Sequence, residues 1–106
     1  MEESRAESWE FYIIMNIAYL VIYKGRVQGV GFRFTVLRFV QGYDSLTGYV
    51  KNKMDGSVGM YVEGKDYEVE SLLEDITMGP HAGYINEVIT NLMPVTGMYL
   101  DFKIEY

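Results

Sequence analysis

From Asn16 onward the apolar positions switch between the two-residue period of strands and the longer period of helices. Ile17–Tyr23 is β-branched and aromatic with no breaker, which predicts a well-covered, central strand. The segment Gly25-Arg-Val-Gln-Gly-Val-Gly31 then interrupts the run with three glycines in seven residues. Phe32, Val36, Phe39 and Val40 fall on one helical stripe, with Gly42 near the C′ position. Leu46–Asn52 returns to strand character, and Asp55-Gly56 supplies a hairpin turn signal. Val58, Met60 and Val62 alternate with Ser57, Gly59, Tyr61 and Glu63, predicting a half-buried partner strand. Asp66 is the expected N-cap of a second helix striped by Val69, Leu72, Leu73 and Ile76. Gly79-Pro80 stops that helix, and Tyr84–Leu92 and Met98–Tyr106 read as strands.

The predicted order is β-α-β-β-α-β plus a short C-terminal strand. Two helices cannot cover both faces of a four- or five-stranded sheet, so both are expected on one face. The predicted class is α+β, a ferredoxin-like α/β sandwich on a mostly antiparallel sheet. One domain over residues 15–106 accommodates the pattern. Residues 1–14 are charged and then aromatic (Trp9, Phe11, Tyr12) and read as an N-terminal extension.

Composition narrows the chemistry. A chain of 106 residues with 49% hydrophobic residues builds one small core. Without cysteine there is no disulfide, thiolate metal site or Cys nucleophile. His81 is the single histidine, so a multi-His metal site is excluded. Following Gly79-Pro80, it is expected in a surface connection remote from the glycine-rich loop. The seven Met and ten Tyr are expected to fill the core and decorate the open sheet face, with no cofactor implied. A net charge of −6 argues against nucleic acid or an anionic membrane as partner. The apolar-leaning run Phe11–Tyr23 contains Asn16 and is too short to cross a bilayer. The acidic residues before it have the wrong sign for a secretory leader, so the expected compartment is the cytoplasm.

Within this acidic chain, residues 24–53 carry Lys24, Arg26, Arg33, Arg38, Lys51 and Lys53 against Asp44 alone. Such a segment, built around a glycine-rich strand-to-helix loop, suits a local anion site. Successive backbone N–H groups in such a loop can converge on one tetrahedral oxyanion. The loop ends Gly-Phe-Arg, so it is not a Walker A sequence, and Phe34 stands where a dinucleotide fingerprint needs glycine. Arg33, in the first helical turn, is disfavoured by the helix dipole unless an anion sits between them. Its planar fork matches two phosphate oxygens. Asn52, at a strand end, can both donate to and accept from a water without titrating. A plain tight turn, an arginine paired with a carboxylate and an ordinary strand-end asparagine would account for the same residues singly.

Gly25-Arg-Val-Gln-Gly-Val-Gly-Phe-Arg33, followed by Gly48-Tyr-Val-Lys-Asn52 and Asp55-Gly-Ser-Val58, resembles the acylphosphatase family. Fainter echoes lie in Glu63-Gly64, Gly79-Pro80, Thr96-Gly97 and Phe102, so the resemblance spans about residues 17–106. It implies the same ferredoxin-like fold and hydrolysis of acyl phosphates to a carboxylate and inorganic phosphate. The resemblance further implies that the backbone of Gly25, Arg26, Val27, Gln28, Gly29 and Val30 cradles the phosphate. Arg33 would grip its oxygens and Asn52 would orient the attacking water. No metal or cofactor is expected, inorganic phosphate is expected to compete with substrate, and a monomer is expected. Two departures stand out: the Arg33–Asn52 segment is one residue longer than usual, with Gly42 inside it, and Tyr49 replaces a tryptophan.

Other functions remain open on this architecture. Gly31-Phe-Arg-Phe34 superficially resembles the aromatic strings of RNA-recognition domains, although here it opens a helix. An accessory domain of a carbamoyl-phosphate-using maturation protein would keep the cradle without independent catalysis.

Overall fold

The computed structural model describes residues 15–106. The reading of residues 1–14 as an extension lies outside the described residues. Strand β1 (Asn16–Gly25) leads through the glycine-rich loop to α1 (Phe32–Val40). The hairpin β2 (Thr47–Asn52) and β3 (Val58–Lys65) follows, then α2 (Asp66–Thr77). A single 3-10 turn (Ala82–Tyr84) precedes β4 (Ile85–Met93), and β5 (Phe102–Glu105) closes the order. The strands form one sheet ordered β4-β1-β3-β2-β5. All pairs are antiparallel except β2 with β5. This is the expected ferredoxin-like α+β arrangement; β1 is an interior strand between β4 and β3, and β3 is the central one.

Both helices lie on one face because each presents a single apolar stripe. Phe32, Val36 and Val40 of α1 and Val69, Leu72 and Ile76 of α2 are buried against Val21, Tyr23, Val50, Met60 and Val62 of the sheet. Phe39 and Leu73 pack at the margin. The first helix stops at Val40 with Gln41 as its C-cap, and Gly42 follows without a left-handed φ. Its N–H donates to Phe39 O. A connection over residues 41–46 follows this short helix, and Asn52 ends β2. Among the described residues, no helix is long and apolar enough to cross a membrane.

Three expectations need correction. Lys65, not Asp66, is the N-cap of α2, and Asp66 sits in the first turn, its carboxylate accepting from Tyr67 N at 2.7 Å. The hairpin strand β3 is buried on both faces rather than one, including Gly59, Tyr61 and Glu63. The open face is covered there by a cluster of Tyr49, Tyr61 and Tyr99 rings. Below it, the Glu63 carboxylate accepts from Tyr61 Oη (2.8 Å), Thr96 N (3.1 Å) and Gly97 N (2.8 Å). The last strand is also shorter than Met98–Tyr106. Its start is delayed to Phe102 because the chain must cross from the β4 edge to the β5 edge, and Leu100 is left exposed on that crossing.

Candidate functional site

The register places three strand ends together. Tyr23 of β1 pairs with Val58 of β3, which pairs with Asn52 of β2. Lys51 of β2 in turn neighbours Glu105 of β5. The carboxyl ends of β1, β2 and β5 therefore meet at one end of the sheet, beside the N-terminus of α1. Val50 is buried under the helices, so Asn52, two residues on, projects from the same face. Its side chain is exposed.

The loop leaving β1 is held at three points. At its start, Arg26 N–H donates to Tyr84 O at 2.9 Å. Gly25 is needed there, since a Cβ would lie 2.1 Å from that same carbonyl oxygen. In the middle, Gln28 Nε2 donates to Lys53 O (2.7 Å) and Ser57 O (2.8 Å), the two carbonyls that frame the β2–β3 turn. At its end, His81 Nε2 lies 2.7 Å from Val30 O. A carbonyl only accepts, so Nε2 carries the proton and donates. Gly29 (φ 76°) and Gly31 (φ 79°) are left-handed, while Val30 between them is not. Alternation of this kind turns successive N–H groups toward one side. Among the described residues, the N–H groups of Val27, Gln28, Gly29, Val30 and Gly31 donate to no protein acceptor. Arg26 N–H, by contrast, is committed to Tyr84 O.

His81 corrects the expectation of a remote surface residue. It lies under the loop because the α2–β4 connection folds back against the end of β1. Its ring meets Phe32 edge-on at 5.5 Å, and Phe32 meets Tyr23 the same way at 5.2 Å. Burial pushes the Tyr23 phenol far up, so it stays neutral beneath the loop.

Arg33 extends from the first turn of α1 toward the end of β5. Its Nη1 donates to Glu105 O at 3.4 Å, and its guanidinium lies 5.0 Å from the centre of the Tyr106 ring. Arg26 stacks on Tyr84 at 5.9 Å, and Lys51 on Tyr49 at 5.4 Å. Arg38 belongs to the last turn of α1 and stands apart from this cluster. The Asp55 carboxylate accepts from Ser57 N (2.9 Å) and Oγ (2.6 Å), which shapes the turn. Those bonds hold its carboxyl below the ordinary value. A cleft of about 340 Å³ opens beside the loop, lined by Lys24, Gly25, Asp55, Gly56 and Ser57. A larger hollow, about 440 Å³, lies between α2 and β4, but Glu70 and Glu74 give it the wrong sign for an anion. Among the described residues, no three His, Asp or Glu side chains converge as metal ligands.

The end of the sheet thus carries loop amides with no acceptor among the described residues, beside the N-terminus of α1 with Arg33 in its first turn, chemistry suited to a tetrahedral anion. Sequence reasoning named the loop, Arg33 and Asn52. It missed the clamps, because His81 and Gln28 find their partners 51, 25 and 29 residues away.

Comparison with known proteins points the same way. The sequence profile of the acylphosphatase family matches residues 19–104. An acylphosphatase of Clostridium beijerinckii is 37% identical over 90 residues, covering 85% of this chain and 99% of that one. The crystal structure of acylphosphatase from Bacillus subtilis superposes with a TM-score of 0.76 at 31% identity, over 85% of this chain and 99% of the other. Full-length HypF, in a phosphate- and nucleotide-bound crystal structure, matches with a TM-score of 0.75 at 29% identity, over 89% of this chain but 12% of HypF. A likeness that runs through both sequence and backbone fixes the lineage: the chain belongs to the acylphosphatase family.

Proposed function

We propose that this acylphosphatase cleaves acyl phosphates with the N–H groups of Val27–Gly31 and the Arg33 guanidinium as its phosphate site and Asn52 as the residue that orients water. The observation that carries the reading is the three-point clamp on the loop, whose consecutive amides find no acceptor among the described residues. An anion-binding group preorganised in this way spends little reorganisation when charge develops.

Phosphoryl transfer runs through a loose transition state, so positioning and electrostatics supply most of the catalysis. The loop amides and Arg33 hold the three peripheral phosphate oxygens. Water held by the Asn52 amide attacks phosphorus opposite the acyl oxygen. The new P–O bond forms as the bond to the carboxyl oxygen breaks, and the carboxylate departs with the electron pair. A carboxylate is a good leaving group and needs no general acid, so the proton of the water passes to a phosphate oxygen. Inorganic phosphate is the second product and, occupying the same cradle, a competitive inhibitor.

The physiological setting in this reading is a cytoplasmic monomer acting on a small molecule, without nucleic acid. The match to a small part of HypF keeps an accessory role in view, but the Clostridium relative matched over almost its whole length favours independent catalysis. Steady-state hydrolysis of benzoyl phosphate in excess chelator tests the proposal. Turnover with competitive inhibition by inorganic phosphate supports it; no turnover, with or without added divalent cations, contradicts it.

A further inference from the structure

We infer that His81 is a positioning residue for the phosphate cradle, acting through the Val30 carbonyl on the Gly31 amide. This rests on the reading of Val27–Gly31 as the phosphate site. The Val30–Gly31 peptide, like every described peptide, is trans, so its C=O and N–H point in opposite directions. His81 Nε2 draws the Val30 oxygen toward the α2–β4 connection at 2.7 Å. The Gly31 N–H is thereby turned away from that connection.

Glycine at position 31 gives this peptide plane little steric resistance to rotation, and nothing lies within 4 Å of where a Cβ would stand. No other described side chain bonds the Val30 carbonyl. The imidazole is itself fixed by Phe32 at 5.5 Å and Tyr84 at 5.9 Å. Its Nδ1 is buried without a hydrogen-bond partner among the described residues. A buried nitrogen left unpaired is tolerated here by a ring whose other nitrogen holds the loop. The same connection takes Arg26 N–H through Tyr84 O, so it grips both ends of the loop.

Two substitutions separate the donor from the ring. His81→Phe keeps the edge-on packing and removes the donor; His81→Gln returns an amide nitrogen at a similar reach. Phosphate affinity is measured by calorimetry for the wild type, Arg33→Ala and both His81 variants, with melting curves for each. The expected result is a loss of about fivefold in phosphate affinity for His81→Phe, the scale of one weakened hydrogen bond. His81→Gln should restore most of it, and the KM for benzoyl phosphate should follow the same order. Phosphate binding should also shift the Gly31 amide proton downfield in the wild type. Equal affinities in wild type and His81→Phe, a failure of His81→Gln to recover, or an unmoved Gly31 amide would each overturn the inference. Failure of the underlying site looks different: the wild type would bind no phosphate, or Arg33→Ala would bind it as the wild type does.

Discussion

Gln28 Nε2 donates to the Ser57 carbonyl oxygen at 2.8 Å, which joins the loop after β1 to the far side of the turn after β2. Its second proton goes to Lys53 O at 2.7 Å. Both partners are acceptors, so the amide orientation is forced. Through this side chain, the glycine-rich loop and the strand end that carries Asn52 share one frame.

Gln28→Ala should therefore loosen the two parts of the site together. We expect a stability loss of about 1–2 kcal/mol from two deleted hydrogen bonds, one of them partly buried. Gln28→Glu should be worse than Ala, since a carboxylate would face two carbonyl oxygens. Urea denaturation of the three proteins checks the order, and a Gln28→Glu protein as stable as wild type contradicts it.

Arg33 and Asn52 should fail differently. In the proposed mechanism the Arg33 guanidinium faces the transferring phosphoryl group, so Arg33→Ala should lower kcat/KM by about 10²–10³ while weakening phosphate inhibition. Asn52→Ala should lower kcat with KM changed by no more than about twofold, because the water and not the phosphate loses its partner. Steady-state kinetics on benzoyl phosphate distinguish these signatures. An equal rise in KM for both variants is the contrary outcome.

Acid stability should depend on Glu63 and Glu68. Burial alone would raise both carboxyls, but the bonds from Tyr61, Thr96 and Gly97 to Glu63, and from Ser45 to Glu68, outweigh it and hold both below their ordinary value. A carboxyl with a depressed folded-state pKa contributes stability that is present above its unfolded pKa and fades as pH falls through the folded one. Glu63→Gln should lower the melting temperature at neutral pH and flatten its decline below about pH 5. Melting curves across that range check this. A variant whose decline on acidification parallels the wild type's contradicts it.

Much of the fold is legible in sequence because the apolar stripes at Phe32, Val36 and Val40 and at Val69, Leu72 and Ile76 are local patterns. The two-faced burial of β3 was not. Tyr61 and Glu63 carry polar groups and read as solvent-facing, and the Tyr49 and Tyr99 rings and the returning Pro94–Gly97 segment cover them. The site divides along the same line. The glycine loop and Arg33 are contiguous in the chain and announce themselves, whereas the role of His81 depends on a contact with Val30 across 51 residues. A lone histidine after Gly-Pro carries no local mark of such a contact.

The most direct measurement is a titration of nitrogen-15-labelled protein with inorganic phosphate, followed by amide chemical shifts. The account predicts that the largest saturable changes fall on Val27–Gly31 and on the Arg33 side chain, with Arg26 N–H, already bonded to Tyr84 O, moving less. Saturable shifts centred elsewhere, with the five loop amides unmoved, would contradict it.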